Sequence, residues 1–307
     1  MGLSKNIRHL LHALKCKVLY ENKVTPFLYE LGCKIHLFKP YIIVYVDGGI
    51  CSQMHQYLLG RYYAERGFHV SYSIGWYARN GKDNDGIHSR IFEFPELWPS
   101  LPMEIAPDNR AFFYARVFPV TREGMHFPLP ITPPKYLHGY YFFDDEKAYG
   151  EIFRRYFTLQ GTAPSDKLPI VEDWTGTKCA VHVRRGDLAK MNDAFYGKVT
   201  VDYFRKAMEY VRERYENVKF FFFSDEIEWV EENLQEFYRD WPHEPVRGNR
   251  AFEDLNLMAH CDCFIASQGS AGKTAALMNG KGLLIVSDDP HDTVWKERYA
   301  QTVVIAG

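Results

Sequence analysis

Residues 180–183 form a short, largely apolar run that ends abruptly in Arg184-Arg185-Gly186-Asp187. Such a run is typical of a buried strand, and in open α/β sheets ligands bind beyond the carboxyl ends of the strands. Two guanidinium groups at a strand end suit bidentate contact with a phosphate, and Asp187 could orient an arginine or act on a substrate hydroxyl. The pattern predicts a ligand site here, with a strand-end salt bridge between arginine and aspartate as the alternative.

Strands and helices alternate along the chain. Apolar runs predict strands at residues 41–46, 68–74, 180–183, 219–223, 263–266 and 282–287. Helical spacing and capping residues predict helices at residues 51–66, 147–159, 199–212, 226–234, 252–261 and 292–299, and a helix that ends at residue 278. Nine prolines between residues 76 and 140 predict an irregular segment there. The alternation predicts an α/β fold, and the polar stretch 161–174 is the predicted linker between two domains.

Composition excludes some classes of protein. The net charge of the 307 residues is −2, so there is no global signature of nucleic-acid binding. The six cysteines include no Cys-x-x-Cys pair, and there is no secretory signal peptide, so we expect a reducing, cytoplasmic location. An aromatic content of 16% suits sugar-binding clefts, although a large aromatic core explains it more simply.

Residues 1–18 are basic. Lys5, Arg8, Lys15 and Lys17 stand among apolar residues at helical spacing, with no acidic residue between them. A basic amphipathic helix can lie on an anionic membrane surface, so we expect peripheral contact with the inner face of the membrane. Packing of this helix on the protein's own surface is the alternative.

The motif His182-x-Arg184-Arg185-x-Asp187 resembles one found in fucosyltransferases that use GDP-fucose. Other segments follow the pattern of glycosyltransferase family 11, the bacterial alpha-1,2-fucosyltransferases, to which the chain is similar. The family's Gly-Gly-x-Gly-Asn-Gln-x-x-Gln-Tyr pattern is matched at Gly48, Gly49, Gln53, Gln56 and Tyr57, with Cys51 and Ser52 replacing Gly and Asn. Later matches occur in the family's order at Asp202-Tyr203, residues 220–223, Ser224-Asp225-Glu226, Trp229 and residues 254–261.

The resemblance implies an α/β, GT-B-like fold, in which two Rossmann-like domains face each other across a cleft. We expect residues 1–165 to form the N-terminal, acceptor-side domain and residues 166–307 the C-terminal domain that binds GDP-fucose. The implied reaction is inverting transfer of L-fucose from GDP-fucose to a sugar hydroxyl, the 2-hydroxyl of a galactoside. A fucosyltransferase of another linkage is the alternative, and oligosaccharide acceptors are the expected partners.

Motif chemistry and the resemblance together assign the site residues. The expected catalytic residues are Arg184 and Arg185, which would stabilise departing GDP, and Asp187, which would be the general base, with Asp193 as a second candidate. The expected donor-binding residues are His182, Arg184, Arg185, Ser224, Asp225, Asp254, Ser267, Gln268, Gly269 and Ser270. The expected acceptor-side loop contains Gly48, Gly49 and Gln53.

No metal or other cofactor is expected beside the GDP-fucose donor. The two arginines supply positive charge where other glycosyltransferases use a metal ion. The Asp-x-Asp sequence at residues 83–85 follows no predicted strand, so we do not expect it to bind a metal.

The loop at residues 267–273 departs from the family pattern. The family usually has Asn-Ser-Thr-Phe-Ser-Trp-Trp where this chain has Ser-Gln-Gly-Ser-Ala-Gly-Lys. A non-catalytic protein that binds nucleotide sugars or glycans on the same fold is therefore an alternative. Gly272-Lys273-Thr274 also fits the end of a Walker A loop, but Ser267 stands where that loop requires its first glycine. Gly and Ser N–H groups at a helix start still suit an anion.

Overall fold

The computed structural model describes residues 24–37, 41–79, 81–82, 89–118, 120–123, 136–139, 146–186 and 200–307. The chain divides into two compact units, each with its own parallel sheet. The first unit comprises the described residues within Met1–Asp47, Ser52–Gly81 and Pro102–Asp144. The second comprises those within Gly48–Cys51, Lys82–Leu101 and Asp145–Gly307.

The described elements alternate between helix and strand for most of the chain. In chain order they are α1 (Val24–Lys34), β1 (Tyr41–Tyr45), α2 (Ile50–Ala64), β2 (His69–Ser73), α3 (Gly75–Arg79), α4 (Phe94–Leu97), α5 (Asp108–Val117), β3 (Val120–Glu123), β4 (Tyr136–Gly139), α6 (Glu146–Tyr156), α7 (Pro169–Glu172), β5 (Thr177–Val183), α8 (Val201–Arg214), β6 (Val218–Ser224), α9 (Ile227–Tyr238), β7 (His243–Pro245), α10 (Ala251–Ala259), β8 (Cys263–Ala266), α11 (Ala271–Asn279), β9 (Leu283–Ser287), α12 (Pro290–Thr293), α13 (Trp295–Arg298) and β10 (Thr302–Ile305).

The sheet of the first unit has the strand order β2-β1-β4-β3, and every pair is parallel. Residues 41–44 of β1 are all buried, which explains why this strand is apolar without alternation. Tyr41 and Tyr136 pack with Tyr114 and Phe118 of the α5 region in the unit's core. The strand that follows β1 in the chain, β2, lies on the opposite side of β1 from β4.

The sheet of the second unit has the strand order β10-β9-β8-β5-β6-β7 and is also parallel throughout. β5 is central, with Val181 in register with Phe222 of β6 and Ile265 of β8. The chain runs outward from β5 through β6 and β7, then returns to β8 on the other side. The strand order therefore reverses between β5 and β8, and α/β proteins bind ligands at such a position.

Thr200 caps α8, and Tyr203 fixes this helix against the sheet. Thr200 Oγ1 accepts a hydrogen bond of 3.1 Å from the Tyr203 N–H, which confirms the predicted helix cap. The buried Tyr203 hydroxyl lies 2.9 Å from the carbonyl oxygen of Ala266 and 3.0 Å from that of Ile285. The two contacts of the Tyr203 hydroxyl hold α8 against β8 and β9.

The structure confirms an α/β fold of two units, each built on a parallel sheet. All six predicted strands and the helices at 51–66, 147–159, 199–212, 226–234 and 252–261 are present within a few residues of the expected bounds. The predicted helix at 292–299 is wrong in detail, because it is divided into the short helices α12 and α13. The edge strands β7 and β10 were not predicted.

The prediction that residues 76–140 are irregular is wrong for the described part of that segment. It contains α4, α5, β3 and β4 as well as most of α3. Pro95 stands in the first turn of α4, and Pro107 stands at the N-cap position of α5. Proline tolerates these positions because its fixed φ and missing N–H suit a helix start, so these prolines mark helix boundaries.

The division into units differs from the predicted boundary at residue 165. The described residues within 48–51, 82–101 and 145–165 belong to the second unit, and so does the stretch 161–174, which was predicted to be a linker. Trp98 packs on Phe157 with ring centroids 5.0 Å apart, and the Ala163 N–H donates to the Leu97 carbonyl at 2.9 Å. None of the helices in the described ranges combines the length and apolar character that crossing a membrane requires.

Candidate functional site

The loops after β5 and β8 are joined by two hydrogen bonds. The Arg184 N–H donates to Ser267 Oγ at 2.7 Å, and the Ser267 N–H donates to the His182 carbonyl at 3.0 Å. Ser267 is buried, so these bonds are shielded from water. They place the arginine pair and the 267–270 loop together where the strand order reverses.

Asp225 binds the arginine pair from the end of β6. Its Oδ2 lies 2.5 Å from Arg184 Nη1, and its Oδ1 accepts from the Arg185 N–H at 2.9 Å. The Ser224 hydroxyl donates to the Val183 carbonyl at 2.7 Å and accepts from the Glu226 N–H at 3.0 Å. Ser224 and Asp225 therefore set the geometry of the β5 end.

The Arg185 side chain is held by a carboxylate and an aromatic ring. Its Nε lies 3.2 Å from Glu226 Oε2, and its guanidinium carbon lies 4.0 Å from the Trp229 ring centroid. Both arginines remain partly exposed, at 21% for Arg184 and 30% for Arg185. Each is thus pre-oriented while part of its surface stays accessible to an anion.

Glu226 and Trp229 are functional candidates that the sequence reasoning did not assign to the site. Glu226 is the last residue of the matched segment Ser224-Asp225-Glu226, and Trp229 is the next match along the chain. Both residues are family matches, so the sequence could have pointed to them. Their contact with the Arg185 side chain could not be predicted, because it depends on the register between β5 and β6.

Gly186 is required by the approach of Asp225. Its φ is +21°, and a Cβ built on it would overlap Asp225 Oδ2. A side chain there would displace the carboxylate that contacts Arg184. The glycine of the motif is therefore a packing requirement of this ion pair.

The second half of the site is the turn into α11. Gly269 has a φ of +85°, and Ser270 is the N-cap residue of this nine-residue helix. The first N–H groups of a helix lack intrahelical partners and carry the positive end of its dipole. With two arginines in the same constellation, this turn is suited to bind a diphosphate.

His182 lies beneath this turn. Its imidazole is buried and packs beside Gly272, where an added Cβ would lie 2.9 Å from His182 Cβ. Burial, with smaller contributions from Arg184 and Lys273, lowers the pKa of His182 to about 3. The ring is therefore neutral at physiological pH, and the His182 side chain packs against the first turn of α11.

Lys273 is not free to reach a phosphate. Its ammonium group is buried in an ion pair with Asp292, whose other oxygen accepts a hydrogen bond of 2.7 Å from the Ser287 hydroxyl. The ring centroid of Trp295 lies 5.9 Å from Lys273 Nζ. This arrangement disfavours the Walker A alternative, because that loop needs its lysine at the nucleotide.

The glycine turn at residues 48–51 groups with the second unit, although it was expected in the acceptor-side domain. The buried Cys51 thiol contacts the hydroxyls of Ser270 and Thr274, and burial raises its pKa more than these hydroxyls lower it. Gly48 has a φ of +73°. The turn therefore adjoins the start of α11. Gln53, by contrast, is a fully buried residue of the first unit.

Asp254 belongs to a different cluster. Its Oδ1 accepts from Asn249 Nδ2 at 2.9 Å, and Lys167 Nζ lies 2.9 Å from both Asn249 Oδ1 and Glu253 Oε2. Burial raises the pKa of Asp254 to about 6. These contacts do not join Asp254 to the arginine pair, and its assignment to the donor stays a prediction.

Several predicted residues lie outside the described part of the chain. They are Asp187, Asp193, residues 83–85 and residues 1–18. Among the described residues, His, Cys, Asp and Glu side chains do not form a group of three or more that could hold a metal ion. The absence of a metal requirement remains a prediction.

Comparison with known proteins points to one family. Residues 125–300 match the model of Glycosyl transferase family 11, which is more than half of the chain. An alpha-1,2-colitosyltransferase of Escherichia coli is 34% identical over 94 residues, covering 30% of this chain and 32% of that protein. The galactoside 2-alpha-L-fucosyltransferase Sec1 of Mus musculus is 25% identical over 176 residues, covering 54% of this chain and 45% of that protein.

These matches span less than half the length of either relative. Among solved structures, NodZ alpha-1,6-fucosyltransferase soaked with GDP-fucose aligns with a TM-score of 0.46 and 14% identity, over 83% of this chain and 97% of that one. The family match covers β5 to β9 and every residue of the arginine site described above. The chain therefore belongs to glycosyl transferase family 11.

Proposed function

We propose that the protein is an inverting fucosyltransferase that moves L-fucose from GDP-fucose to the 2-hydroxyl of a galactoside. The observation that carries this proposal is the constellation of Arg184, Arg185 and the Gly269-Ser270 turn where the strand order reverses. Family membership supports the glycosyl-transfer chemistry. The name of the Mus musculus relative supports L-fucose as the transferred sugar, a galactoside as the acceptor and the 2-alpha linkage.

In this proposal the arginines and the α11 N-terminus stabilise the departing diphosphate. As the bond from the fucose anomeric carbon to the phosphate oxygen breaks, negative charge grows on GDP. Pre-oriented donors lower the barrier because they need no reorganisation when that charge develops. Asp225 and Glu226 hold the arginines in place before the donor binds.

We further propose that this charge stabilisation makes a divalent metal unnecessary. Turnover should persist in EDTA and should not depend on added Mn²⁺ or Mg²⁺. Activity that EDTA abolishes and Mn²⁺ restores would contradict this part of the proposal.

Colitosyl transfer is a second candidate, favoured by the 34% identity to the alpha-1,2-colitosyltransferase of Escherichia coli. Fucose and colitose differ by one ring hydroxyl. A site that hydrogen-bonds that hydroxyl would discriminate strongly against the sugar that lacks it. The two candidates share the same arginine site and differ only in the sugar pocket.

The test is GDP release measured with GDP-fucose, GDP-colitose, GDP-mannose and UDP-galactose, with and without lactose. We expect release with GDP-fucose that lactose accelerates, and a product whose linkage NMR identifies as alpha-1,2. Greater specificity for GDP-colitose would favour the second candidate. Donor binding by calorimetry without any release would instead indicate a non-catalytic nucleotide-sugar binder.

We also propose peripheral contact with an anionic membrane. The side of α1 that faces solvent is apolar: Val24, Phe27, Leu28 and Leu31, with Ile35 directly after the helix, recur at helical spacing and are 42% to 63% exposed. The other side packs on the unit through Tyr29, whose hydroxyl lies 2.6 Å from that of Tyr114. In sequence this helix follows the basic residues of 1–18, and apolar contact with basic flanks suits an anionic lipid surface.

A further inference from the structure

A cavity lies between the last turns of α8 and α9 and the residues that follow α9, and we call it the α8–α9 cavity. Its volume is about 160 Å³. The lining consists of charged and aromatic side chains, namely Glu209, Arg212, Glu236, Phe237, Asp240 and Trp241. All six residues belong to the second unit, so this unit forms the cavity by itself.

The α8–α9 cavity lies at the edge of the second sheet that is opposite to the arginine pair. α8 ends four residues before β6 begins, and α9 ends five residues before β7 begins. The last turns of both helices therefore stand near the amino ends of these parallel strands. Arg184 and Ser267 directly follow the carboxyl ends of β5 and β8, so the cavity is separate from the site described above.

Arg212 is oriented toward an acceptor that the described part of the chain does not provide. Its guanidinium carbon lies 4.2 Å from the ring centroid of Trp241, which fixes the plane of the group. Its Nε is buried, and none of the described residues accepts a hydrogen bond from it. A buried donor without an acceptor is rare in proteins and calls for a partner from outside the chain.

The carboxylates of the lining are available as acceptors. Glu209 pairs with Arg205 at 2.8 Å and keeps 49% of its side-chain surface exposed. The Asp240 side chain is 85% exposed, and Arg239 approaches it only to 4.0 Å. Glu236 is exposed on the last turn of α9. The cavity thus presents carboxylate oxygens beside the N–H groups of one guanidinium.

These charges determine the class of ligand. Three carboxylates and one guanidinium make the lining negative, which disfavours an anion. A cation suits the carboxylates but cannot accept a hydrogen bond from Arg212. A hydroxyl group donates one hydrogen bond and accepts others. Neighbouring hydroxyls of a neutral sugar therefore satisfy the carboxylates and the guanidinium together.

The size and the aromatic side chains of the α8–α9 cavity also suit a single sugar. Phe237 and Trp241 are partly buried and pack against the core of the unit, so their rings are held in place. Sites for small molecules combine such aromatic surface with a few polar groups, and pockets for drug-sized ligands measure roughly 300–1,000 Å³. At about 160 Å³ this cavity is smaller, which fits one sugar residue and excludes a nucleotide sugar.

We propose that the α8–α9 cavity binds one sugar residue of a neutral saccharide, away from the arginine site. Arg212 donates to a sugar oxygen, the carboxylates of Glu236 and Asp240 accept from sugar hydroxyls, and the Phe237 ring contacts the C–H face. The inference goes beyond the proposed function and does not depend on it, because this binding needs neither GDP nor turnover.

The experiment follows the indole N–H resonance of Trp241 in the full chain labelled with ¹⁵N-tryptophan. Trp241→Phe identifies that resonance. Lactose is added without nucleotide to about 100 mM, because a site with few contacts binds weakly. Sodium phosphate and spermidine are added to separate samples as the anionic and cationic probes. Thermal melting shows that each variant is folded.

We expect lactose to shift the Trp241 resonance with a Kd of about 10 mM. Arg212→Lys and Glu236→Ala should each weaken this binding about tenfold, the effect of losing a hydrogen bond to a charged group. The matched controls are Arg214→Lys and Glu232→Ala. These residues are exposed on α8 and α9 and do not line the cavity, so both variants should match the wild type.

Three results would overturn the inference. In the first, lactose leaves the Trp241 resonance of the wild type unchanged. In the second, Arg212→Lys and Glu236→Ala are folded and bind lactose as the wild type does. In the third, phosphate or spermidine shifts the resonance and lactose does not, which would make the cavity an ion site. The Glu236 variant decides the matter if the Arg212 variant melts early.

Discussion

Ser267 Oγ accepts a hydrogen bond of 2.7 Å from the backbone N–H of Arg184. This bond ties the end of β5 to the loop after β8, 83 residues further along the chain. It brings a guanidinium pair and a helix N-terminus, two elements that suit a phosphate, into one constellation.

Arg184→Lys and Arg185→Lys should lower turnover. Lysine keeps the charge but loses the planar fork that contacts two phosphate oxygens. We expect a loss of about two orders of magnitude in kcat for at least one variant, or about 3 kcal/mol of transition-state stabilisation. Melting temperatures should change little, because both arginines are partly exposed. GDP release and thermal melting measure the two effects.

The control for the lysine variants is Arg247→Lys. Arg247 also contacts two carboxylates, those of Glu228 and Glu231, but it follows the edge strand β7 and is more exposed than either site arginine, at 45%. It should keep wild-type turnover. If both site variants melt early yet turn over normally once folded, the motif is a structural salt bridge and the donor-site assignment fails.

Gly186→Ala should lower turnover more than tenfold. The added Cβ would overlap Asp225 Oδ2 and displace the carboxylate that orients Arg184. The control is Gly248→Ala, because Gly248 also has a positive φ, of +74°, yet an added Cβ meets no atom within 4 Å. That variant should lose about 1–2 kcal/mol of unfolding free energy from backbone strain and keep its kcat. Equal activity of the two alanine variants would contradict the role given to Asp225.

His182 should make the protein less stable in acid. Its folded-state pKa is about 3, below the ordinary value near 6.5, so between these values the unfolded chain binds a proton that the folded chain does not. The free energy of unfolding therefore falls as pH falls, by about 2 kcal/mol between pH 6.5 and pH 5 from this residue. Urea unfolding at pH 7, 6 and 5 measures this fall in the free energy of unfolding.

The comparison for this pH effect is His182→Gln, whose free energy of unfolding should depend less on pH. Asp254 acts in the opposite direction, because its pKa is raised to about 6 and the folded chain binds its proton first. The variant isolates His182, since Asp254 is unchanged in it. Identical slopes of wild type and variant would show that His182 titrates normally.

Lys273→Met should destabilise the protein severely. It would leave Asp292 buried without its cationic partner, and breaking a buried ion pair costs about 3–5 kcal/mol of unfolding free energy. The double variant Lys273→Met/Asp292→Leu should be more stable than the single variant, because it removes the unpaired charge. Urea unfolding of the wild type, Lys273→Met, Asp292→Leu and the double variant gives the coupling free energy between the two side chains. A single variant as stable as the wild type would argue against the ion pair.

Phe27→Ser/Leu31→Ser should weaken binding to vesicles that contain anionic phosphatidylglycerol. The two substitutions remove apolar surface from the exposed side of α1 and leave the net charge unchanged. Deleting residues 2–18 should also weaken binding, and GDP release in solution should persist in both proteins. Ile91→Ser/Ile105→Ser is the control, because these isoleucines are exposed elsewhere at 51% and 40%. Equal vesicle binding by all four proteins would rule out the proposal.

Much of the fold could be predicted from local sequence. The apolar runs at β1, β5, β6, β8 and β9 predict buried parallel strands, because such strands are covered on both faces. The residues directly after the predicted strands, including Arg184, Ser224 and Ser267, are therefore predicted to belong to the ligand site. Prolines were misleading between residues 76 and 140, because proline both breaks helices and begins them.

The pairing of side chains could not be predicted in this way. Asp225 contacts Arg184 across 41 residues, and His138 contacts Asp47 across 91. Lys273 looked like part of a phosphate loop in the sequence, yet it forms a buried ion pair with Asp292. Each of these contacts depends on which strands are neighbours and on how their ends are aligned.

By itself the sequence determined the strongly apolar strands, the longer amphipathic helices and the residues that follow those strands, because hydrophobic periodicity and capping act over a few neighbouring residues. The tertiary structure alone decided the strand order, the grouping of Gly48–Cys51 with the second unit, and the partners of Arg184, His138 and Lys273. The reason is physical: parallel strands are joined by long crossover connections. Their order, and so the side chains that meet at one edge, follows from packing the whole chain.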